Sequence, residues 1–221
     1  MRKGEQTRAA ILEAALEIAA RGGLEGLTIG SLAERMHMSK SGVFAHFGSR
    51  EDLQIAVLKA YERRFVEDVL LPSVSEPRGL PRLAAIFGRW LERTAYEAAH
   101  GCIYISGATE YDDRPGAVRD ELVSMVHSWQ RELTRAIEQA IGAGHLRPDT
   151  SLEQLVFELH GVILALHHDG RLLKSPHSVE RARRSFARLL DSYATARGRA
   201  WLRPPQPRRA RSAAVPANPT H

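Results

Sequence analysis

The sequence predicts an all-α chain of about nine helices, and three observations carry that prediction. Apolar residues recur at helical spacing almost everywhere, no segment alternates convincingly as a strand does, and helix caps and stops punctuate the chain between the apolar stripes. The 221 residues suffice for one large or two small domains with a sizeable buried core.

A first helix is expected over about Gln6 to Ala20, with Ile11, Leu12, Ala15, Leu16 and Ala19 on one face and Gly22–Gly23 as its stop. Thr28 is placed to cap a second, whose Ile29, Leu32, Ala33 and Met36 fall at i, i+3, i+4 and i+7. A third, about Ser39 to Phe47, buries Val43 and Phe47. Ser49, with Asp52 three residues on, opens a fourth that runs to about Leu71 and is broken by Pro72. A fifth spans about Leu80 to Ala98, a short apolar sixth Ile103 to Tyr111, and a long seventh Ala117 to Ile141. Thr150-Ser-Leu-Glu153 has the form of a capping box for an eighth helix through Leu173, and Ser175-Pro176 opens a ninth to about Thr195. The Pro- and Arg-rich stretch after Trp201 has no periodicity and is expected to be disordered. No internal repeat at a fixed period is present.

Composition limits the partners. No run of 18 apolar residues occurs, so no membrane partner is expected. Glu13 and Glu17 interrupt the apolar part of the first twenty residues, which points to a cytoplasmic protein rather than a secreted one. The single Cys102 excludes an internal disulfide framework and fits a buried or pocket cysteine. The net charge of +5 invites a nucleic-acid partner, but its distribution does not support that reading. Six of the 31 basic residues lie in 197–221, which holds no acid; the rest of the chain carries 25 bases against 26 acids. Any case for DNA binding must therefore be local.

The local case lies in Ser31–Leu53. Two helices too short to stand alone are joined by about three residues, Met36-His37-Met38, and must pack steeply on the first helix. This is a helix-turn-helix plan, whose second member enters the major groove. Its outward residues, Ser39, Lys40, Ser41, Gly42, Ala45 and His46, are small or polar, so the helix can sit deep while Lys40 and the hydroxyls reach phosphates or base edges. Thr28 and Arg50 stand at the starts of the second and fourth helices, where free N–H groups suit phosphates. Domains are accordingly expected at 1–50 (DNA-binding), 51–200 (helical) and 201–221 (tail).

The segment TIGSLAERMHMSKSGVFAHFGSREDL resembles the DNA-binding domain of TetR-type transcriptional repressors. The likeness covers roughly residues 5–60 and rests on Thr28, Ile29, Leu32, Ala33, Ser39, Lys40, His46, Phe47, Ser49, Glu51 and Leu53. Three residues depart from the pattern. His37 stands where a turn glycine is usual, Phe44 replaces a tyrosine whose hydroxyl would hold a phosphate, and Gly42 sits inside the recognition helix. These departures are expected to alter which operator is read.

The resemblance implies a ligand-responsive repressor that binds a (pseudo)palindromic double-stranded DNA operator as a homodimer and is released by a small-molecule effector. It also implies a dimer interface on helices eight and nine and a ligand cavity among helices four to seven. Candidate lining residues there are Tyr61, Phe65, Phe87, Trp90, Tyr104, Met125 and Trp129. The acids Glu110, Asp112 and Asp113 could face a cationic ligand or simply end a helix. His160 and His167, about 10.5 Å apart along a helix, are too far apart to share one metal ion. No nucleophile–base spacing, Gly-rich phosphate loop or metal-ligand pattern occurs, so neither an enzyme nor a bound cofactor is expected. The alternatives are nonspecific DNA binding through the arginine tail and, more remotely, an all-α enzyme.

Overall fold

The computed structural model of the chain describes residues 3–202. Within them ten α-helices follow one another: α1 Lys3–Gly26, α2 Ile29–Arg35, α3 Lys40–Phe47, α4 Arg50–Phe65, α5 Leu80–His100, α6 Ile103–Tyr111, α7 Ala117–Gly142, α8 Leu152–Arg171, α9 Ser178–Tyr193 and α10 Ala196–Leu202. The described residues form no strand; one isolated bridge pairs Leu146 with Ala194.

Helices α1 to α3 form the N-terminal head. The stripe Ile11, Ala15 and Ala19 of α1 is fully buried against Leu32 of α2 and Val43 of α3, and Arg8 covers the ring of Phe47 at 4.9 Å. Burying each of Ile11, Leu32 and Val43 contributes about 1.5–3 kcal/mol, support that two helices of seven and eight residues need to persist. This core does not stop at residue 50. It continues along α4 through Leu53, Val57 and Tyr61 into Ile103 and Tyr104 of α6 and Leu122 and Met125 of α7. A second core joins α5, the rest of α7, α8 and α9 through Leu83, Phe87, Leu133, Ile137, Leu159, Ile163 and Leu190.

Several boundaries differ from expectation. α1 does not stop at Gly22–Gly23; it kinks at Gly23 (φ 77°) and makes one further turn to Gly26. α4 does not end cleanly but passes through a π-helical turn, Val66–Leu70, and a last turn at Leu71–Ser73. Ser151, not Thr150, caps α8 by accepting from the Gln154 N–H, while the Thr150 hydroxyl donates back to the Arg147 carbonyl. Pro176 lies before α9, which begins at Ser178. Trp201 and Leu202, assigned to the tail from sequence, end α10, whose first turn is held by the Gly198 N–H donating to Thr195 Oγ1. The remainder of the expected disordered tail lies outside the described residues.

Candidate functional site: an outward helix face and an interior cavity

The turn between α2 and α3 is built from caps. Thr28 Oγ1 accepts from the Ser31 N–H at 3.0 Å while Ser31 Oγ accepts from the Thr28 N–H, a reciprocal capping box. At the other end of α2 the Met38 N–H donates to Ala33 and the His37 N–H to Glu34, the paired bonds of a Schellman motif. The residue closing such a motif is left-handed, and His37 has φ 52°. A side chain there costs about 1–2 kcal/mol that glycine avoids, yet the turn forms without one. Ser39 Oγ then caps α3 by accepting from the Gly42 N–H at 3.0 Å. A methyl group on Gly42 would meet that Oγ at 3.1 Å, so the glycine gives the cap room.

Ser39, Lys40, Ser41, Phe44 and Ala45 are exposed, and Gly42 and His46 are half-buried. At 100° per residue, positions 40, 44, 41 and 45 fan across one face, adjoining the face of the buried Val43 and Phe47. Phe44, 54% exposed, also lies on that face; the family resemblance gives it a place there, although the outward set read from helical spacing does not include it. Thr28 is exposed but engaged in its cap. Arg50 is exposed but engaged within the chain: its Nε donates to the Leu27 carbonyl at 3.0 Å and its Nη2 to the Glu25 carbonyl at 2.6 Å.

A cavity of about 490 Å³ lies between α4 with its π-turn on one side and α7 on the other, floored by α5 and α6. Tyr61, Phe65, Trp90, Tyr104, Met125 and Trp129 line it together with Thr94, Glu97, Cys102 and Ile105. Phe87 does not; it stacks on Phe186 of α9, ring centroids 3.9 Å apart, inside the second core. Phe65, Trp90 and Trp129 pack edge to face, with centroids 4.5–6.2 Å apart, and form a rigid aromatic wall. Trp129 Nε1 is buried without a hydrogen-bond partner.

The cavity's polar end is Glu97, which sequence reasoning missed because a lone glutamate in a helix normally faces solvent. Only 7% exposed, it accepts from the Tyr61 hydroxyl at 2.9 and 3.0 Å and from Arg93 Nε at 2.9 Å. Arg93 also reaches Asp68 at 2.6 Å. Burial, reinforced by Glu97, pushes the Cys102 thiol up to about 12, so it is no thiolate at neutral pH. Its sulfur instead accepts from the Ile105 N–H and caps α6. Behind the cavity His160 meets the Tyr104 hydroxyl at 3.2 Å, and burial lowers its pKa. Among the described residues no group of three or more His, Cys, Asp or Glu is placed to hold a metal ion.

α6 also touches the head. The Glu25 N–H, just past the α1 kink, donates to Glu110 at 2.9 Å, and the Tyr111 hydroxyl donates to the Glu25 carboxylate at 2.6 Å. Arg50 and Arg114 each approach that carboxylate to 3.3 Å. The Tyr111 hydrogen bond, aided by these cations, holds Glu25 below the usual glutamate value. A Cβ on Gly23 would fall 1.9 Å from Glu110 Oε1, and one on Gly101 would fall 1.6 Å from the Ala20 carbonyl oxygen. Gly101 is required by this approach to backbone, whereas Gly23 is favoured by its φ of 77°, since the Glu110 carboxylate is a side-chain end that can move. Glu110 thus belongs to the junction between α6 and the head, where no ligand is needed to account for it.

Two family models match the chain, together covering more than two thirds of it. Residues 11–57 match the model described as bacterial regulatory proteins, tetR family, and residues 79–186 the model described as tetracyclin repressor-like, C-terminal domain. Among solved structures, a TetR-family regulator from Cytophaga hutchinsonii superposes with a TM-score of 0.74 at 22% identity, covering 88% of this chain and 98% of that one. A second, from Streptomyces coelicolor, gives 0.75 at 17% identity over 86% and 97%. AibR, solved in complex with isovaleryl coenzyme A and operator DNA, gives 0.63 at 22% identity over 82% and 95%. No protein of curated function matches the chain in sequence.

Proposed function

The chain belongs to the tetR family of bacterial regulatory proteins, and from that premise we propose that it is a cytoplasmic, ligand-responsive repressor. It binds a (pseudo)palindromic operator as a homodimer and releases it when a small molecule fills the cavity. The observation that carries this reading is the shared core. The same continuous packing holds the Lys40–Ala45 face at one end and, at the other, the side of the cavity formed by Tyr61, Cys102, Tyr104 and Met125, where it meets the second core at Trp90 and Trp129. The AibR complex, with isovaleryl coenzyme A and operator DNA, is a precedent for a similarly folded protein that takes both a small molecule and an operator.

Lys40, with Ser39 and Ser41 at the start of α3, supplies phosphate and base-edge contacts, and Gly42 and Phe44 shape what the helix meets. Arg50 acts indirectly, by fixing the end of α1 under α2. The dimer forms through α8 and α9. Phe157 (74% exposed), Gly161, Leu164, Ala165 and His168 lie along one exposed face of α8, an apolar stripe of the kind that marks an interface. Two heads set about 34 Å apart then meet successive major grooves on one side of the duplex.

Selection from a random DNA pool tests this. The enriched sites are expected to be two inverted half-sites about one turn apart, with Lys40→Ala weakening binding at least tenfold and removal of residues 203–221 leaving the preference intact. If no sequence is enriched, and binding is lost only when 203–221 are removed, the arginine tail rather than α3 holds the DNA.

A further inference from the structure

The cavity also carries information about the chemistry of its occupant, taking as given that it is an effector site. We propose that it selects a neutral, flat molecule bearing a hydroxyl group, which is donated to Glu97 while the ring system lies on the Phe65–Trp90–Trp129 wall.

Oε1 of Glu97 receives Tyr61 and Arg93, Oε2 shares the single Tyr61 proton, and the neutral Cys102 thiol is a further, weak donor to the carboxylate. A carboxylate offers about four acceptor positions, so a buried and pre-oriented acceptor retains capacity at the cavity end. A ligand anion at that end would meet a like charge with little water to screen it. A ligand cation fares no better, because Arg93, which also pairs with Asp68, already sits on the Glu97 carboxylate at 2.9 Å and would repel it. That guanidinium also stands 4.9 Å from the Tyr61 ring centre and 5.5 Å from that of Phe65, so the aromatic faces nearest the carboxylate already hold a cation. The rim is balanced as well, with Glu62 and Glu132 set against Arg131 and Arg135. What remains favourable is burial of flat apolar surface plus one donated hydrogen bond to a charged acceptor. The 490 Å³ of space lies within the range of small-molecule sites.

Four biphenyls on one frame separate the possibilities: 4-phenylphenol, 4-methoxybiphenyl, 4-phenylbenzoate and the 4-biphenylyltrimethylammonium ion. Calorimetric titration of the full chain without DNA is expected to show the phenol binding about tenfold more tightly than its methyl ether, the size of one hydrogen bond to a charged group. The benzoate and the ammonium ion should bind more weakly still. Glu97→Met removes the acceptor while Asp68 still pairs with Arg93, and should bring the phenol-to-ether ratio close to one. Glu97→Gln, which keeps the volume and one oxygen, should give an intermediate ratio and guards against a misfolded Met variant. Tightest binding by the benzoate or the ammonium ion, an unchanged ratio in both variants, or no binding by any of the four overturns the proposal. If the phenol binds as expected but leaves operator affinity unchanged, the effector reading fails and the chemistry of the cavity stands. If other molecules release the operator while the phenol shows no preference, only the chemistry fails.

Discussion

Phe44 is an exposed aromatic ring near the centre of a helix face otherwise made of Lys40, Ser41 and Ala45. No packing within the chain accounts for its exposure, and without a phenolic oxygen it cannot hold a phosphate. The apolar feature that B-DNA presents in its major groove is the thymine methyl group. A thymine is therefore expected beneath Phe44 in each half-site. Replacing that thymine with deoxyuridine, which removes the methyl alone, should weaken binding about fourfold, the worth of one buried methyl at about 0.8 kcal/mol. Phe44→Ala should bind more weakly overall and be indifferent to the exchange. A deoxyuridine scan of the half-site that never changes wild-type affinity would place the ring on sugar or backbone instead. His37 belongs to the same scale. Its left-handed conformation could be inferred from the tight turn, because a turn of this length needs one such residue wherever the sequence leaves room for it.

At the scale of elements, local signals carried the reading as far as they reach. The stripes of α2, α5 and α7 and the caps Thr28 and Ser49 are written within a few residues of where they act. Features that depend on distant partners could not be read that way. The α1 kink is tied by Glu110, 85 positions from Glu25, and Gly101 is needed because the Ala20 carbonyl lies against it. Phe87 has the same helical spacing as Trp90, and only the approach of Phe186 puts one in the core and the other in the cavity. Three histidines were visible as residues but not as titrating groups: His160 and His167 on α8, and His145 before it. Burial is the leading cause lowering each pKa below 6.5. As pH falls, the unfolded chain then takes up protons before the folded one does. Their contribution is complete above about 6.5 and is lost as pH drops toward the lowered folded values. Urea midpoints should accordingly fall between pH 7.5 and pH 5.5, and His160→Phe should flatten that slope. A midpoint that holds or rises on acidification would mean these imidazoles accept protons in place.

Across the whole molecule, two helices span the distance from cavity to head, and they meet at Glu25. α4 brings Tyr61 and Phe65 to the cavity, and its first turns bring Arg50 and Gln54 to the carbonyls of Leu27, Glu25 and Leu24. α6 brings Tyr104 and Ile105 to the cavity and Glu110 and Tyr111 to Glu25. A ligand that parts the two helices must strain this junction or move the head, because close-packed elements shift between arrangements rather than deform smoothly. The α6 half of the junction can be removed separately: Glu110→Ala with Tyr111→Phe leaves Arg50 and Gln54 in place. Operator affinity without ligand and ligand affinity without operator should each stay within about twofold of wild type. The factor by which ligand weakens operator binding should shrink about fivefold or more, a sizeable part of a typical coupling free energy of about 1–3 kcal/mol. Linkage supplies an internal check, since the operator must weaken ligand binding by the same reduced factor. Full coupling in the double variant would mean that α4 alone carries the signal, and the contacts at Glu25 would then serve only to hold the head in place.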